Sequence, residues 1–521
     1  MLNTSYKLLS SRQMKKAESE AVPFSPIADG YEWLMENAGH AAAETIRDRC
    51  HDRFSNKNML ILLGKGNNGG DGLVIARLLK EQFPSLKITI LFCLGHELSP
   101  LSALNLSRLP KGEFELCDDL SKAALLCKEA DYIVDGIFGT GFHGSLPSVL
   151  VPILRAANES SAQKIALDIP TGVNGDNGLS DPDAFRADFT TAFAAFKPAH
   201  FLKSSRFLCG ETAKMEIGIP EAIINSIPDT VSLMNESEMA SLLPPRLPDS
   251  NKGSYGKLLV VGGSKTMTGA VLLSASAAAR CGVGLVMAAA PENALVPIRS
   301  MLPEALLLPL PLSDSGAIHP SAHPAVLEKI NGWASAALIG CGMSLTDETK
   351  LMVTDVVLNG KTPLVLDADA LNALSAIGTD ILLNSEEPII LTPHMMEFSR
   401  LTGKTIPEIR ENRFELASDF AKKHHVTLIL KDASTLIVSP DGEMSMNENG
   451  NPGLSKGGSG DTLAGIIASL LAQGLSPYSA AKLGVWLHAE AGDIACQQLT
   501  AYSMLPQDVI KVLPKAFQKL I

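Results

Sequence analysis

The chain has 521 residues, which is too long for one hydrophobic core and predicts two large domains. Hydrophobic residues make up 46% of the sequence and charged residues 19%, a composition typical of a folded enzyme and not of a disordered or fibrous chain. The formal net charge of −12 argues against a long nucleic-acid groove, because such a groove needs clustered Lys and Arg, and we expect no nucleic-acid partner.

The cysteines and the apolar segments indicate the compartment. The eight cysteines are scattered and contain no CxxC pair, which indicates neither a zinc site nor a disulfide framework and predicts a reducing cytoplasm. The first 20 residues contain no apolar signal core, and the most apolar region, AVLLSASAAARCGVGLVMAAA, is interrupted by Arg280. We therefore expect neither a targeting segment nor a membrane span.

The first half of the chain alternates strand-like and helical patterns. Residues 31–49 have the spacing of one amphipathic helix. Strand-like runs that end in Gly, Asp, Cys or Pro follow: NMLILL, LKITILFC, DYIVDGIFG and KIALDIP. Between the first two runs, GLVIARLLKEQ has helical spacing. This alternation predicts an α/β sheet built from βαβ units.

A glycine loop, GKGNNGGDG at residues 64–72, lies between the first strand and its helix. It matches G-x-G-x-x-G, a weak pattern because glycines also serve simply to make tight turns. An ordinary dinucleotide-binding fold also needs an acidic residue at the end of the second strand, where only Glu97 is available, several residues too late. A plain Rossmann dehydrogenase is therefore disfavoured.

Oxygen-bearing side chains follow three strands of this predicted sheet. Asn67 and Asn68 precede Asp71 in the glycine loop, where amide and carboxylate oxygens can bind a hard cation, pyrophosphate or ribose; a helix cap is the alternative for Asp71. Asp135 in VDGIFGTGFHGS and Asp168 in ALDIPTGVNGDNG come at two further strand ends. Because such ends meet at one edge of a parallel sheet, we expect one shared site.

The motifs NNGGDG, VDGIFGTG and LDIPTGVNGDNG, in this order and spacing, resemble the NAD(P)H-hydrate epimerase domain over about residues 10–220. The resemblance implies a Rossmann-like domain that interconverts the R and S forms of hydrated NADH and NADPH (NADHX and NADPHX) at C6. It implies Asp168 as the acid/base residue and a potassium ion bound by Asn68, Asp135 and Thr171. Besides Asp168, the implied hydrate contacts are Asn67, Asn68, Gly69, Gly70, Asp71, Gly139, Thr140, Gly141, Phe142, His143, Gly144 and Ser145.

The chemistry of these residues agrees with that activity. Epimerising a carbinolamine carbon requires proton shuttling while its C–O bond opens and closes, which one carboxylate near a polarising cation can supply. Lys197 in AAFKPAH is a second candidate, for contact with a phosphate or a hydroxyl group. A solvated surface lysine is the alternative at that position.

Residues 219–256 are rich in proline and polar residues and lack a sustained strand pattern, so we place the boundary between a domain of residues 1–225 and one of residues 226–521 here. A second βα series then begins. Its strand-like runs are KLLVVGGS, LVMAAA, AALIGCG, PLVLDADALN, PIILTPH and VTLILKD. This series predicts a second α/β sheet.

The turn KGGSGD, which begins at Lys456, opens the helix DTLAGIIASLLAQG. Free N–H groups and the helix dipole at such a turn favour negative charge on a phosphoryl group. Asp461 can either cap the helix or take a hydroxyl proton while that oxygen attacks the terminal phosphate of a nucleotide. KGGSGD resembles the anion-hole motif of the ribokinase-like superfamily, in which the aspartate has the second role.

Other side chains of the second half also suit a nucleotide site. LILKDASTLIVSPDG predicts a hairpin around residues 431–435, either an adenine-nucleotide contact on a sheet edge or an ordinary hairpin. Asp367, Asp369 and Asn372 follow a strand in LDADALN, where they can orient magnesium through water or cap the next helix.

The histidines of this half have weaker patterns. His394 follows a strand, and a lone histidine there most often has a structural role. His319 and His323 are separated by four positions but bracketed by prolines, so we interpret them as loop residues and not as a helical metal pair.

The segments KGSYGKLLVVGGSKTMTGA, LTPHMMEFSRL and NPGLSKGGSGDTLAGIIASLLAQG resemble the NAD(P)H-hydrate dehydratase branch of that superfamily over about residues 230–518. The resemblance implies a ribokinase-like α/β domain that uses ADP or ATP, with magnesium, to dehydrate the S-hydrate. The implied hydrate contacts are Gly269, His394 and Asp461, and the implied nucleotide contacts are Lys431, Asp432, Ala433, Ser434, Thr435 and Gly460. PHMMEFSRL departs from relatives, which often carry a glycine and an acidic residue directly after the His-Pro-type turn, so the contacts around Met395 stay open.

The two halves together predict a bifunctional repair enzyme for hydrated nicotinamide cofactors. Phosphorylating the C6 hydroxyl of the S-hydrate would convert a poor leaving group into a good one, which the ring nitrogen's lone pair could expel. The alternatives are a ribokinase-like vitamin or sugar kinase with an N-terminal ligand-binding module, and a non-catalytic N-terminal interaction domain. The superfamily resemblance also leads us to expect a homo-oligomer, and it leaves ADP and ATP open as the co-substrate.

Overall fold

The computed structural model describes residues 6–50 and 53–521. The chain folds into two compact units, Tyr6–Val231 and Ser232–Ile521. Each unit is an α/β structure with helices between parallel strands, which confirms the predicted class. Within the described ranges, no helix is both long and apolar enough to cross a membrane.

The N-terminal unit contains a parallel sheet with the strand order β4, β3, β2, β5, β6, β7, β8. Its strands are β1 (Lys7–Leu8), β2 (Asn58–Leu63), β3 (Lys87–Phe92), β4 (Glu115–Cys117), β5 (Tyr132–Gly136), β6 (Gln163–Leu167), β7 (Phe189–Phe193) and β8 (Glu211–Met215). Its helices are α1 (Ser11–Ala21), α2 (Gly30–Arg49), α3 (Asn67–Gln82), α4 (Pro100–Ser107), α5 (Ala123–Glu129), α6 (Val151–Glu159), α7 (Arg206–Cys209) and α8 (Glu221–Ser226).

Alternate residues of the central strand β2 enter two different cores. Met59, Ile61 and Leu63 pack into one buried cluster, and Leu60 and Leu62 pack into another. Because successive side chains of a strand point to opposite faces, these clusters lie on the two sides of the sheet. The continuous apolar run NMLILL is thus explained by a parallel sheet with both faces covered.

The C-terminal unit has a mostly parallel sheet. Its strands are β9 (Val231–Leu233, at the unit boundary), β10 (Lys257–Val261), β11 (Leu285–Pro291), β12 (Leu306–Leu310), β13 (Ala336–Ile339), β14 (Leu364–Leu366), β15 (Ile389–Leu391), β16 (Thr427–Leu430), β17 (Leu436–Val438) and β18 (Met444–Met446). Its helices are α9 (Glu236–Ser241), α10 (Gly269–Arg280), α11 (Glu292–Met301), α12 (His323–Gly332), α13 (Asp347–Asn359), α14 (Asp369–Ile377), α15 (Met395–Thr402), α16 (Ile406–Glu411), α17 (Arg413–His424), α18 (Ser459–Ala472), α19 (Pro477–Ser503) and α20 (Pro506–Gln518).

The predicted hairpin forms, but not at a sheet edge. The strands follow the order β18, β17, β16, β15, β14, β13, β10, β11, β12. The pairing is parallel from β16 to β12, whereas β16–β17 and β17–β18 are antiparallel. The expectation of an edge hairpin is wrong because β18 pairs with the outer side of β17.

Helices α10 and α18 approach each other closely at Gly465. A Cβ atom built there would lie 2.2 Å from the carbonyl oxygen of Ser274, which is far inside van der Waals contact. This approach places the start of α18, with its KGGSGD turn, against the neighbouring helix of the same core.

Replacing Gly465 with Ala should therefore destabilise the C-terminal unit. Overpacking of a close helix crossing costs about 1–3 kcal/mol, so the midpoint of thermal unfolding should fall by several degrees. Gly332→Ala is the matched control, because Gly332 is also helical and a Cβ there meets nothing within 4 Å. Equal midpoints for the two variants, measured by circular dichroism, would contradict the close crossing.

Candidate active sites

Asp135, at the end of β5, anchors the first site. It is fully buried and accepts hydrogen bonds at 2.7 Å from both the backbone N–H and the hydroxyl of Thr171, and at 3.2 Å from the N–H of Ile137. Burial raises the pKa of Asp135 to about 6, and the hydrogen bonds from Thr171 oppose that rise. The carboxylate thus ties the end of β5 to the loop that follows β6.

Asp168 follows β6 and is held by a buried lysine. Its backbone has a φ of +62°, in the left-handed region, and its N–H donates to the carbonyl of Thr191 at 2.8 Å. The Lys197 ammonium donates to Asp168 Oδ1 and, at 2.9 Å, to the carbonyl of Phe193. Lys197 is only 1% exposed, so the alternative of a solvated surface lysine is wrong.

His200 fixes the backbone of the same aspartate. Its Nδ1 accepts from the N–H of Lys197 at 3.1 Å, so the proton lies on Nε2, which donates to the carbonyl of Asp168 at 2.8 Å. Burial, with the charge of Lys197, lowers the pKa of His200 to about 4. The imidazole is therefore neutral at pH 7, and Lys197 supplies the positive charge beside Asp168. The sequence analysis did not identify His200.

Asp71 contributes a second carboxyl group to this site. It is the fifth residue of α3, whose N-cap is Gly66, so the interpretation of Asp71 as a helix cap is wrong. Asp71 is 8% exposed, and its side chain makes no hydrogen bond within the described parts of the chain. Burial, with the negative charges of Asp168 and Glu18, raises its pKa well above the usual range.

Glu18 on α1 is a third carboxyl group that sequence reasoning missed. It is half-buried, and burial raises its pKa while the positive charge of Lys197 opposes that rise. Helix α1 is tied to the site because the hydroxyl of Ser11 donates to the carbonyl of Thr140 at 2.6 Å. No motif surrounds Glu18, which lies 150 residues from Asp168, so the sequence carried no signal for it.

The glycine loop after β5 reaches the same point. A Cβ on Gly139 would lie 3.2 Å from Asn68 Oδ1 and 3.5 Å from Asp168 Oδ2, so this loop adjoins both side chains. The Asn68 Nδ2 atom is buried without a hydrogen-bond partner. Asn67 Oδ1 accepts from the hydroxyl of Ser99 at 2.9 Å. The structure thus brings Gly139 together with Asn68 and Asp168.

The remaining predicted contact residues of this loop differ in exposure. Phe142 is buried, and Thr140 is half-buried. The exposed members are Gly141, His143, Gly144 and Ser145. His143 is held at its Nδ1 by the side-chain amide of Asn174, at 3.0 Å. An exposed polar loop beside a buried carboxylate cluster is suited to closing over a ligand.

The second site lies at the start of α18. Asp461 is in the first turn, but the N-cap is Gly458, with a φ of +94° and no side-chain cap, so the capping alternative is wrong for Asp461. Burial, with the negative charge of Asp367, raises the pKa of Asp461 to about 6. The Cys341 thiol and the two carboxylates each place an atom within 4.8 Å of the others.

Lys431 balances the charge of this cluster. Its ammonium donates to Asp367 Oδ1 at 2.8 Å, and the same oxygen accepts from the hydroxyl of Thr392 at 2.6 Å. Burial opposes the charged ammonium, yet the carboxylates of Asp367 and Glu397 raise the pKa of Lys431 overall. A Cβ on Gly460 would lie 3.4 Å from Lys431 Nζ, so the ammonium adjoins the start of α18.

The other residues of LDADALN hold neighbouring segments. Asp369 Oδ2 accepts from the backbone N–H of Ser344 at 2.8 Å, and Asn372 Oδ1 accepts from Arg400 at 2.7 Å. The N-cap position of α14 is Ala368, so neither residue caps that helix. The Asn372 side-chain amide also donates to Asp369 Oδ1 at 3.5 Å, which links the two residues.

His394 caps α15. Its Nδ1 accepts from the N–H groups of Met396 and Glu397, at 3.1 and 3.2 Å, while Glu397 Oε2 accepts from the N–H of His394 at 2.8 Å. Burial raises the pKa of Glu397 to about 7. The sequence analysis missed Glu397, although the spacing His-x-x-Glu after a strand is a capping-box signal.

The other predicted residues of this half have separate surroundings. Of residues 431–435, Lys431 belongs to the charged cluster around Asp367. The Asp432 carboxylate accepts from Arg413 at 2.6 Å, and the hydroxyl of Thr435 donates to the carbonyl of Asp432 at 3.1 Å. Ala433 is exposed, whereas Ser434 is buried. Gly269 is the first residue of α10, and a Cβ atom built on it would meet no other atom within 4 Å.

The two histidines interpreted as loop residues differ. His319 caps a short 3-10 turn by accepting from the N–H of Ser321 at 3.1 Å. His323 is instead buried at the first position of α12, with its Nδ1 2.6 Å from Asp355 Oδ2, so the loop interpretation is wrong for His323. Pro324 is tolerated there because the first turn of a helix needs no N–H donor.

Comparison with known proteins identifies both halves. Residues 258–515 match the family model described as NAD(P)H-hydrate dehydratase, and residues 31–199 match the one described as YjeF-related protein N-terminus. One solved structure is that of the ADP/ATP-dependent NAD(P)H-hydrate dehydratase from Bacillus subtilis, co-crystallised with ATP and Mg²⁺. It is 32% identical to this chain, with a TM-score of 0.49. The match covers 55% of this chain and 98% of the Bacillus chain.

Full-length relatives carry both halves together. The bifunctional NAD(P)H-hydrate repair enzyme of Moorella thermoacetica is 36% identical over 94% of this chain and 92% of its own length. The enzyme of the same name from Coxiella burnetii is 35% identical over 96% of this chain and 97% of its own length. The enzyme of that name from Escherichia coli K12 is 30% identical over 92% of this chain and 88% of its own length. The chain therefore belongs to the family of bifunctional NAD(P)H-hydrate repair enzymes.

Proposed function

We propose that the N-terminal unit epimerises NADHX and NADPHX at Asp168, and that the C-terminal unit dehydrates the S-hydrate at Asp461. The observation that carries this division is that each unit holds a cluster of acid side chains at strand ends in which a lysine ammonium pairs with an aspartate. Asp168 is paired with Lys197, and Asp367, beside Asp461, is paired with Lys431. Each centre lies at the carboxyl ends of strands in its own parallel sheet, where ligands of α/β folds bind.

In the epimerase site, Asp168 exchanges the proton of the C6 hydroxyl group. Lys197 holds Oδ1, so Oδ2, which adjoins the Gly139 loop, is the oxygen that faces the hydrate. His200 and Thr191 hold the backbone in its left-handed conformation, which keeps the carboxylate in place between exchanges. The hydrate contacts are residues 67–71 and 139–145, with the orphaned amide of Asn68 available to a ligand oxygen.

Potassium would be held by oxygens of Asn68, Asp135 and Thr171. The donor set fits, because a carboxylate, a hydroxyl group and an amide oxygen are hard ligands. Asp135 and Thr171 are in direct contact, and a Cβ on Gly136 would lie 3.2 Å from the backbone oxygen of Asn68. The bound cation would supply positive charge that polarises the hydrate next to Asp168.

Removal of potassium is therefore expected to slow R/S exchange. Replacing K⁺ with choline, which is too large for a cluster of buried oxygens, should lower the exchange rate several-fold while nucleotide-dependent dehydration of the S-hydrate in the same sample keeps its rate. Chromatography of the two epimers measures the exchange. An equal exchange rate in both salts would contradict the potassium proposal.

In the dehydratase site, Asp461 takes the proton of the C6 hydroxyl while that oxygen attacks the terminal phosphate of ADP or ATP. Gly460, the free N–H groups of α18 and the Lys431 ammonium stabilise the transferred phosphoryl group. The ring nitrogen's lone pair then expels the phosphate and forms an N1=C6 double bond. Loss of a proton from C5 to solvent returns that electron pair to nitrogen and gives NAD(P)H. Gly269 and His394 contact the hydrate, and Asp432, Ala433, Ser434 and Thr435 contact the nucleotide.

Magnesium would be held by Asp367 and Asp369. Two carboxylates that follow one strand give hard oxygen ligands. Lys431 and Thr392 both bind Oδ1 of Asp367. The other oxygen, Oδ2, lies 4.0 Å from the Cys341 sulfur and is the one that would bind the metal. The ion would neutralise charge on the phosphates of the co-substrate.

Loss of the Lys431 ammonium should weaken phosphoryl transfer strongly. Lys431→Met removes a positive charge beside the start of α18 and leaves the carboxylate of Asp367 without its cation, so kcat/KM for the nucleotide should fall about 100-fold. Lys423→Met is the control, because Lys423 is an exposed lysine of the same unit, 3.3 Å from Asp380. Similar kinetics for the two variants would remove Lys431 from the nucleotide site.

A vitamin or sugar kinase is the competing function for the C-terminal unit. Incubation of pure S-hydrate with Mg²⁺ and either nucleotide, followed by mass spectrometry, separates the two. We expect NAD(P)H, free phosphate and the shortened nucleotide. A stable phosphorylated product, or turnover only with a vitamin or sugar, would favour the kinase. The same assay compares ADP with ATP.

The thiols support the proposed cellular setting. All eight cysteines are free, and seven of them are buried, which supports a reducing cytoplasm as the compartment. We also propose that the enzyme forms a homo-oligomer, which size-exclusion chromatography with light scattering tests.

A further inference from the structure

Asp71 and Asp168 are two carboxyl groups of one site with opposite surroundings. Asp168 accepts hydrogen bonds from the Lys197 ammonium and from the N–H of Phe193 at 3.2 Å. Asp71 is more than nine-tenths buried, and its carboxyl group makes no hydrogen bond in the part of the chain that the structure describes. The Asp71 oxygens are not among the fully enclosed side-chain atoms that lack a partner, so they face open space, where a ligand could complete their hydrogen bonding.

Close packing fixes the turn of α3 that carries Asp71 against the strand that precedes Asp168. A Cβ on Gly72 would lie 3.7 Å from a methyl group of Leu167, the residue before Asp168. On the other side of α3, a Cβ on Gly70 would lie 2.6 Å from the sulfur of Met35. Helix α3 is thus packed between β6 and α2 at the turn that carries Asp71.

We propose that Asp71 is a second acid/base residue of the epimerase, which acts on the face of C6 opposite to Asp168. This inference rests on the proposed epimerase function of the N-terminal unit. Pairs of carboxyl groups whose environments differ in this way can divide acid and base roles between them. The Lys197 ammonium pairs with Asp168, while burial and the neighbouring negative charges raise the pKa of Asp71 and favour its neutral form.

The step is balanced in atoms and charge. Asp71 donates its proton to the C6 hydroxyl oxygen, the C6–O bond breaks, and the lone pair of N1 forms an N1=C6 double bond, which gives an iminium ion and water. A solvent water molecule adds to the other face of C6, Asp168 takes its proton, and the double-bond electrons return to N1. The product is the other epimer, and in the reverse direction Asp168 is the acid and Asp71 the base.

The site must return a proton from Asp168 to Asp71 after each exchange. Glu18 is half-buried, and its charge acts on both Asp71 and Asp168. Its half-exposed position makes it a candidate to pass this proton between the pair and solvent. The charged groups that act on Asp71 are Asp168 after β6, Glu18 on α1 and Lys197 after β7, and the excess of negative charge among them favours the neutral form of Asp71.

The test measures R/S exchange of NADHX in oxygen-isotope-labelled water. Wild-type enzyme should incorporate one solvent oxygen at C6 for each exchange and should lose activity at alkaline pH as Asp71 loses its proton. Asp71→Asn should lower kcat about 100-fold or more, with a change in KM below about threefold, and should lose isotope incorporation in parallel. Asp71→Glu, which keeps a proton donor, should recover part of the rate.

Controls separate this proposal from the function on which it rests. Asp183→Asn replaces an aspartate of the same unit that pairs with Arg155 on the surface, and its exchange rate should match wild type. The thermal unfolding of each variant, followed by circular dichroism, reports whether the N-terminal unit is folded, since dehydration belongs to the other unit. Exchange within threefold of wild type in Asp71→Asn, or wild-type exchange without isotope incorporation, would overturn the two-carboxyl step while leaving the epimerase function standing. Absence of exchange in wild type would overturn both.

Discussion

Replacement of Asp461 by Asn is expected to lower nucleotide-dependent recovery of NADH from its S-hydrate by about three orders of magnitude. The substitution keeps the volume of the side chain and removes the base that takes the hydroxyl proton. It also removes one negative charge from the cluster with Asp367, so the folded state should lose little stability. Absorbance of the reduced nicotinamide measures the rate.

The same variant contains its own control. R/S exchange should stay at the wild-type rate, because the epimerase residues belong to the other sheet. Asp441→Asn, at an exposed turn of the C-terminal unit, should leave both activities unchanged. Loss of both activities in Asp461→Asn would contradict independent sites, and unchanged dehydration would exclude Asp461 as the base.

Replacement of Asp168 by Ala is expected to reduce R/S exchange to the uncatalysed rate. The change removes the proton acceptor and also leaves the Lys197 ammonium buried without its carboxylate, so a loss of stability of about 3–5 kcal/mol accompanies it. Asp168→Asn keeps the hydrogen-bond acceptor for Lys197 and should lose exchange with a smaller loss of stability. Chromatography of the two epimers measures the exchange.

In the two Asp168 variants, a cooperative unfolding transition measured by circular dichroism shows that the N-terminal unit is folded, because dehydration belongs to the other unit. Both should still dehydrate added S-hydrate, while R-hydrate should persist. Asp183→Asn should behave as wild type in both assays. Exchange at the wild-type rate in Asp168→Asn would exclude Asp168 from the proton transfer.

The strand ends of both sheets could be predicted because each is a short apolar run followed by Gly, Asp or His. That pattern is local, and it placed Asp135, Asp168 and Asp367 at the carboxyl ends of parallel strands. The exact start of α3 could not be predicted, because Gly69 and Gly70 are typical of loops. In the structure they lie inside the helix, where they allow its close approach to Gly64 and Met35.

Burial and pairing depend on contacts between distant segments. Lys197 and Asp168 are separated by 29 positions, and only the fold turns that lysine inward. Glu18 approaches the site through α1, which has no motif. The edge hairpin was mispredicted because β18 has three residues, MSM, too few to show the alternation of a strand.

The central claim is tested most directly by incubating an equal mixture of R- and S-NADHX with wild-type enzyme, K⁺, Mg²⁺ and ADP or ATP, while absorbance of the reduced nicotinamide is followed. The account predicts that wild-type enzyme recovers NADH from the whole mixture. The Asp168→Asn variant should recover NADH from the S half alone, apart from slow uncatalysed exchange. Recovery limited to half with wild type, or no recovery with either nucleotide, would contradict it.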